Sequence, residues 1–436
     1  MSFPRYPAHK ASGVEWIGKV PSGWAVQPLR RHARLLTEKT DRRDHPVALE
    51  NIESWTGRFL PTDTEFQGDG VAFERGDILF GKLRPYLAKT LVATASGEAV
   101  GDFLVMRPTE AADPRFLSYL LRSSEVISII DGSTFGSKMP RASWDFVGAM
   151  PTPLPSPQEQ QAIVSFLDRE TIKIDALVEE QRRLIDLLEE KRQTVVSQTV
   201  TKGLDLAVPM KQSGVDWLGQ VPAHWGISRL RYVTRPGASI TYGIVQAGPH
   251  IEDGIPYIKT SDMSGQALPL EGYARTTAEI DASYARSKVA AGDLVIAIRA
   301  SVGKCLPVPA QLDGANLTQG TARIAPGDLV DAEFLLAYIN AQPVQTYLNS
   351  VSKGATFKEI TIDTLRKTPV LLPPLAEQRA IGSQVRALTE QFQELIDGAE
   401  AAEALLLERR SALISAAVTG KIDVRSLSPQ PEAVAA

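Results

Sequence analysis

The chain contains a single cysteine, Cys305, in 436 residues. An internal disulfide is therefore excluded, and a reducing cytoplasm is the simplest expectation. Long apolar runs are missing too: nothing approaches the roughly 20 residues of a membrane-spanning helix. The opening MSFPRYPAHK lacks the apolar stretch of a secretion signal, so none is expected. The five histidines show no zinc-ligand spacing, and no metal site is expected. A positive charge excess is absent as well. The net charge of −4 counts against a non-specific nucleic-acid coat, but it leaves room for a site reader with local basic patches. Hydrophobic residues at 43% suffice for ordinary cores, and the length suits two or three domains.

Catalytic patterns are also missing. RASVGKC ends like a phosphate loop, but its first glycine is absent and Cys305 stands where Ser or Thr belongs. Ser301 and Lys304 have Ser-x-x-Lys spacing without the companion motifs, so the stretch reads as a β-turn. No Gly-rich strand-to-helix fingerprint marks a dinucleotide or methyl-donor site, and no Asn-Pro-Pro-aromatic element occurs. The residues point to a non-catalytic protein without a cofactor.

What the chain does have is a repeat. SGVEWIGKVPSGW (Ser12 to Trp24) returns as SGVDWLGQVPAHW (Ser213 to Trp225). A longer stretch, 155–203, returns at 373–421 without a gap: Glu159 matches Glu377, Ile163 matches Ile381, Arg192 matches Arg410 and Thr201 matches Thr419. Between them, DPRFLSYLL matches DAEFLLAYI, and ERGDILFGKLR matches AAGDLVIAIR. The chain is one unit written twice. It divides into a lead-in at 1–24, a globular domain at 25–152, a long helix at 153–204, a second lead-in at 205–225, a second globular domain at 226–371, a second long helix at 372–424, and a disordered tail at 425–436. The tryptophans of the lead-ins, Trp16, Trp24, Trp217 and Trp225, are expected to cover helix ends.

The long helices carry heptads. One predicted row holds Leu167, Ile174, Gln181 and Leu188, with Leu177 and Leu184 in the other. In the second helix the rows hold Val385, Phe392, Leu406 and Leu413, and Leu388 and Leu395. The preferred reading pairs the two helices as an antiparallel coiled coil, with Gln181 near Ala399 and Ala402; the other is two separate amphipathic helices. The middles have short β-rich runs (DILFGKL, DFLVMRP, DLVIAIR, TARIAP) between turn residues. The fold class expected is α+β: two mixed α/β domains separated by two long helices, with a pseudo-two-fold internal repeat that brings the end of the second helix beside the first lead-in.

These features, in this order and duplicated, resemble the DNA-specificity subunits of type I restriction-modification enzymes. The carriers are the two lead-ins, GDILFGKLRPYL, SVGKC with GANLTQGTARI, and the two EQ-x-AI helices ending VTKG and VTGK, together spanning about 10–425. The resemblance implies a target-recognition domain for each half of a split, asymmetric site in double-stranded DNA. It implies as partners two S-adenosylmethionine-dependent methyltransferase subunits and two restriction-translocase subunits, with no membrane. The competing reading is a scaffold of two binding modules that does not bind nucleic acid.

Base-reading residues do not carry over by position, because recognition domains vary. Candidates follow from chemistry, since phosphates and base edges need Lys, Arg and amide or hydroxyl groups on loops. In the first domain they are Arg42, Arg43, Ser54, Arg58, Lys82, Arg84, Tyr86, Lys138 and Arg141. In the second they are Tyr242, Gln246, Lys259, Arg299, Lys304, Asn316, Gln319, Lys353, Thr356 and Lys358. Neither domain is basic overall: Lys and Arg number 16 against 17 Asp and Glu in 25–152, and 14 against 13 in 226–371.

Overall fold

The computed structural model describes residues 3–42, 44–62, 69–134, 138–354 and 358–427. The chain divides into two units, one of residues 1–182 and 401–436, the other of 183–400. Both long helices contribute to both units.

In unit one the lead-in is a hairpin, His9–Ala11 against Lys19–Pro21. Gly13 and Gly18 take φ of 75° and 68°, where a side chain would strain the backbone, and Ser12 Oγ accepts from Val14 N at 3.0 Å. The second lead-in repeats this with Met210–Gln212 and Gln220–Pro222, and Ser213 Oγ accepts from Val215 N at 3.1 Å. The phrase is written twice because each unit needs this turn.

The globular part of unit one holds two four-stranded sheets. One has the order Ala33–Leu36, Phe103–Pro108, Ile78–Gly81, Thr90–Val92, all antiparallel. The other has the order Lys39–Thr40, Gly70–Phe73, Gly97–Val100, Pro46–Val47, its last pair parallel. The apolar runs DILF and DFLVM are explained by burial on both faces. Ile78, Phe80, Leu104 and Met106 enter the main core, whereas Leu79, Phe103 and Val105 enter a smaller one with Val47, Ile52 and Phe73. Three short helices, Pro114–Leu121, Ser124–Gly132 and Trp144–Ala149, follow.

Unit two repeats the plan with shorter sheets: Cys305–Pro307, Leu294–Ala297, Thr321–Ile324 in one, and Arg275–Thr276, Ile255–Ile258, Asn316–Leu317 in the other. Leu294 and Ile296 face one core, and Val295 and Ala297 the other. Its short helices after the sheets are Ala332–Asn340, Gln342–Ser350 and Ile362–Lys367. Cys305 lies in this unit, 1% exposed, and burial pushes its thiol pKa up. It should resist alkylation in the native chain and react at once in urea; equal rates in both conditions would contradict this packing.

The long helices run over Pro157–Lys202 and Leu375–Val418. In unit one they are antiparallel: Arg410 Nε donates to Asp175 Oδ1 at 2.7 Å, and one heptad on, Arg182 Nε donates to Glu403 Oε1 at 2.8 Å. In unit two Arg192 Nη1 donates to Gln393 Oε1 at 3.1 Å, and Gly203 lies against the Glu377 carboxylate, again antiparallel. One predicted row faces inward: Leu167, Ile174, Val385 and Leu413 are buried, and Leu188, Phe392 and Leu406 half-buried. The other row is displaced by one residue. Leu177, Leu184 and Leu395 are exposed by 49%, 43% and 57%, and so are corrected from seam to flank; Leu388 is half-buried. The inward row instead runs through Thr171, Val178, Ile185 and Arg192, and through Thr389, Ile396, Glu403 and Arg410. Its charged members are tolerated because each meets a polar partner from the other helix.

Two buried glutamines fix where each long helix starts. Gln160 Oε1 accepts from Asp113 N at 2.7 Å, and its Nε2 donates to Ala111 O and Pro155 O, both at 2.9 Å. Gln378 does the same with Asp331 N, Leu329 O and Pro373 O. Asp113 and Asp331 in turn cap the short helices that follow them. The second helix ends against the first lead-in, as the internal repeat predicts: Asp423 N donates to Pro4 O at 2.8 Å, and Gly420 sits against Pro21 and Trp24. In unit two Gly203 sits against Trp225 in the same way. Trp217 packs against the core that takes in Val200 near the end of the first long helix, and its ring also stacks on Tyr347 at 4.9 Å.

Candidate nucleic-acid interface

Each unit carries a junction where a strand end, a second strand's neighbour and a loop meet, with one backbone pattern in both. In unit one, Lys82 N donates to Asp102 O, Arg84 N to Pro140 O and Ala142 N to Lys82 O, all at 2.8 Å. In unit two, Ile298 N donates to Gly320 O at 2.9 Å, Ala300 N to Lys358 O at 3.2 Å and Ile360 N to Ile298 O at 2.9 Å. Arg84 and Ala300 occupy the matching position and both have positive φ, 50° and 59°. Non-glycine residues in this region cost free energy, so the junction is held by its surroundings.

The backbone is shared and the side chains are not. Unit one brings together Lys82, Arg84, Tyr86, Lys138 and Arg141. Asp102 holds Arg141 at 3.0 Å and Lys82 at 3.7 Å, and this carboxylate raises the Arg141 pKa. Arg84, Lys138 and the 45%-exposed Tyr86 face solvent. Among the described residues no ion pair holds Arg84 or Lys138, so both can reach a phosphate without first breaking one. Asp102 was not among the sequence candidates; its matching residue is Gly320, which supplies no counter-charge.

Unit two brings together Tyr242, Arg299, Gln319, Lys353 and Lys358. Arg299 pairs with Glu359 at 3.0 Å. Residues 242–244 run alongside 318–322: Tyr242 bridges Ala322, and Gln319 N donates to Ile244 O at 3.0 Å. Tyr242, Lys353 and Lys358 are exposed, and Arg299 and Gln319 half-buried. Lys259 precedes Thr260, whose Oγ1 donates to Gly320 O at 3.3 Å.

Other candidates lie elsewhere in their units. Arg42 is exposed, and its N donates to Thr40 Oγ1 at 3.2 Å. Ser54 and Arg58 belong to a turn where Arg58 pairs with Glu53 at 3.0 Å. Gln246 is exposed. Lys304 Nζ donates to Ser264 O at 2.7 Å, and Lys304 N to Ser301 O at 3.2 Å closes the expected β-turn. Asn316 is a correction: it is fully buried, donating to Asp281 Oδ1 at 2.8 Å and accepting from Ser287 Oγ at 2.6 Å. Its amide is spent on the core, so it cannot reach a base. Arg43 and Thr356 lie outside the described residues. Among the described residues no group of three or more His, Cys, Asp or Glu is placed to hold a metal, and no helix is long and apolar enough to cross a membrane.

Residues 249–402 match the family of the type I restriction modification DNA specificity domain. The type I restriction enzyme EcoBI specificity subunit of Escherichia coli is 28% identical over 241 residues, 54% of this chain and 51% of that protein. The chain thus spans about half the length of that relative. The MjaVIII specificity subunit of Methanocaldococcus jannaschii is 21% identical over 81% of this chain and 78% of its own. A chain solved in work on complex assembly and conformational transition of the type I R-M system shares the fold. It has a TM-score of 0.66 at 23% identity, over 92% of this chain and 98% of that one. Duplicated α+β units on two long shared helices define the class of this protein. Within that class, residues 249–402 carry the specificity-domain match, and the chain is similar to specificity subunits of type I restriction-modification systems.

Proposed function

We propose that the chain is the non-catalytic DNA reader of a type I restriction-modification system, working in the cytoplasm and using no cofactor of its own. Each unit reads one half of a split site through its junction. The observation that carries this reading is the pair of junctions with one backbone and two side-chain sets: Lys82, Arg84 and Arg141 in one, and Arg299, Gln319 and Lys358 in the other. Similar frames with different readers fit a site whose halves differ, so the site is asymmetric. Solvent-facing Arg84, Lys138, Lys353 and Lys358 suit phosphates, which set position, while Arg and Gln side chains suit base edges. The long helices, at 46 and 44 residues, are the proposed dock for two methyltransferase subunits, with restriction-translocase subunits joining through them.

Domain exchange tests the reading. Replacing residues 25–152 with the matching segment of a relative should change one half of the methylated sequence and leave the other intact, as read by sequencing methylated genomic DNA. A change in both halves would refute one unit per half-site.

A further inference from the structure

Arg122 follows the short helix Pro114–Leu121 and is 8% exposed. Its bonds go to backbone oxygens: Nε to Ser118 O at 3.2 Å, and Nη1 to Thr56 O and, at 3.4 Å, to Trp55 O. The guanidinium also lies over the Tyr119 ring at 4.9 Å. Among the described residues no carboxylate pairs with it. Asp175 is engaged by Arg410 at 2.7 Å, and Asp168 by Arg115 and by the Tyr119 hydroxyl at 2.8 Å. A buried guanidinium without a counter-ion is costly, and burial pushes this one down to about 10.

The fold does not require that cation. The matching residue in unit two is Asn340, a neutral amide that accepts from Cys305 N at 3.2 Å and donates to Cys305 O at 2.9 Å. Arg122 is thus a feature of the first unit alone, and it opens onto space. With Arg115 it lines a cavity of about 620 Å³ whose apolar wall includes Phe59, Phe73, Leu91 and Val92. That volume is in the range that encloses small organic ligands.

We propose that this cavity binds a small organic anion, its carboxylate or phosphate seated on the Arg122 guanidinium and its apolar body against Phe59, Phe73 and Val92. Occupancy has a structural consequence. The anion competes with the Thr56 and Trp55 carbonyls for Nη1, and those carbonyls belong to the exposed turn Ser54–Arg58. Trp55 is held there at φ 65°. Gly57, at φ 70°, has no room for a Cβ, which would stand 2.2 Å from Thr90 O. The site is therefore placed to loosen or hold a surface turn of the first recognition unit.

The test titrates four probes into the full chain by calorimetry: phenyl phosphate, benzoate, benzyl alcohol and inorganic phosphate. Phenyl phosphate and benzoate should bind at one site, and benzyl alcohol and inorganic phosphate at least about tenfold more weakly, a difference of about 1.4 kcal/mol. Arg122→Gln should lower affinity for both organic anions by about tenfold or more. Because that variant can fail to fold, Ala95→Trp at the exposed rim of the cavity supplies a second, which leaves Arg122 in place and should block both anions. The proposal is overturned if neither organic anion binds. It is equally overturned if benzyl alcohol or inorganic phosphate binds as tightly as phenyl phosphate, or if Ala95→Trp leaves binding unchanged.

Discussion

Trp225→Ala should destabilise unit two by about 3–5 kcal/mol, the range for truncating a fully buried tryptophan. Trp225 is 0% exposed. Its ring lies over Gly203 at the end of the first long helix, and its Nε1 donates to Glu377 Oε1 at 3.1 Å, at the start of the second. Glu377 also holds His224 at 2.8 Å. One side chain therefore joins lead-in, helix end and helix start, and its removal leaves a cavity and a carboxylate short of a donor. Trp225→Phe keeps most of the bulk and should cost less, about 1–3 kcal/mol, chiefly from the stranded carboxylate. Trp24 is the counterpart in unit one, 2% exposed, but its Nε1 finds no acceptor among the described residues. Trp24→Phe should therefore cost less than Trp225→Phe. Urea unfolding followed by backbone circular dichroism measures all three, and an unchanged midpoint for Trp225→Ala would remove the tryptophan from this role.

On the proposed docking role of the long helices, a double substitution, Leu184→Glu with Leu187→Glu, should leave folding intact and abolish assembly with methyltransferase subunits. These leucines are 43% and 52% exposed and three residues apart, hence on one helix face. Exposed substitutions of this kind change stability by roughly 0.5 kcal/mol or less. Two charges placed in an apolar contact cost far more, because each must be desolvated without a partner. Co-purification of tagged chain with methyltransferase subunit, alongside a melting curve, separates the two effects. An intact complex would move the dock off this face, and a collapsed melting curve would return Leu184 to the helix seam.

That contrast also marks what the sequence made legible. The repeat, the long helices and the apolar strand runs follow from local rules, and 3.5-residue periodicity located one inward row correctly. The second row was misplaced because Leu177, Leu184 and Leu395 are apolar and exposed, whereas Arg410, 7% exposed, is charged and buried. Hydrophobicity ranks such residues in the wrong order when an ion pair across the helices settles the matter. Gln160 and Gln378 sat unnoticed inside the EQ motif, since three backbone bonds from one amide leave no mark in composition. Asn316 was mistaken for a surface reader for the same reason. The junctions became visible only when Lys82, Asp102 and Pro140, distant in sequence, were joined by backbone bonds; the candidates Lys138, Arg141, Lys353 and Lys358 were the available hint.

The division of the chain has a consequence for synthesis on the ribosome. Unit two is one unbroken stretch, 183–400, while unit one needs both 1–182 and 401–436. Domains fold as they emerge, so unit two can close as soon as Glu400 clears the exit tunnel. Unit one waits until the stretch after residue 400 has been translated. Until then the faces of Leu167, Ile174 and Trp24 that Leu413, Ile414 and Val418 complete in its core stay uncovered. A nascent chain arrested after residue 400 should thus carry a protease-resistant second unit beside a sensitive first one, the reverse of the usual order in which the N-terminal part of a protein folds first.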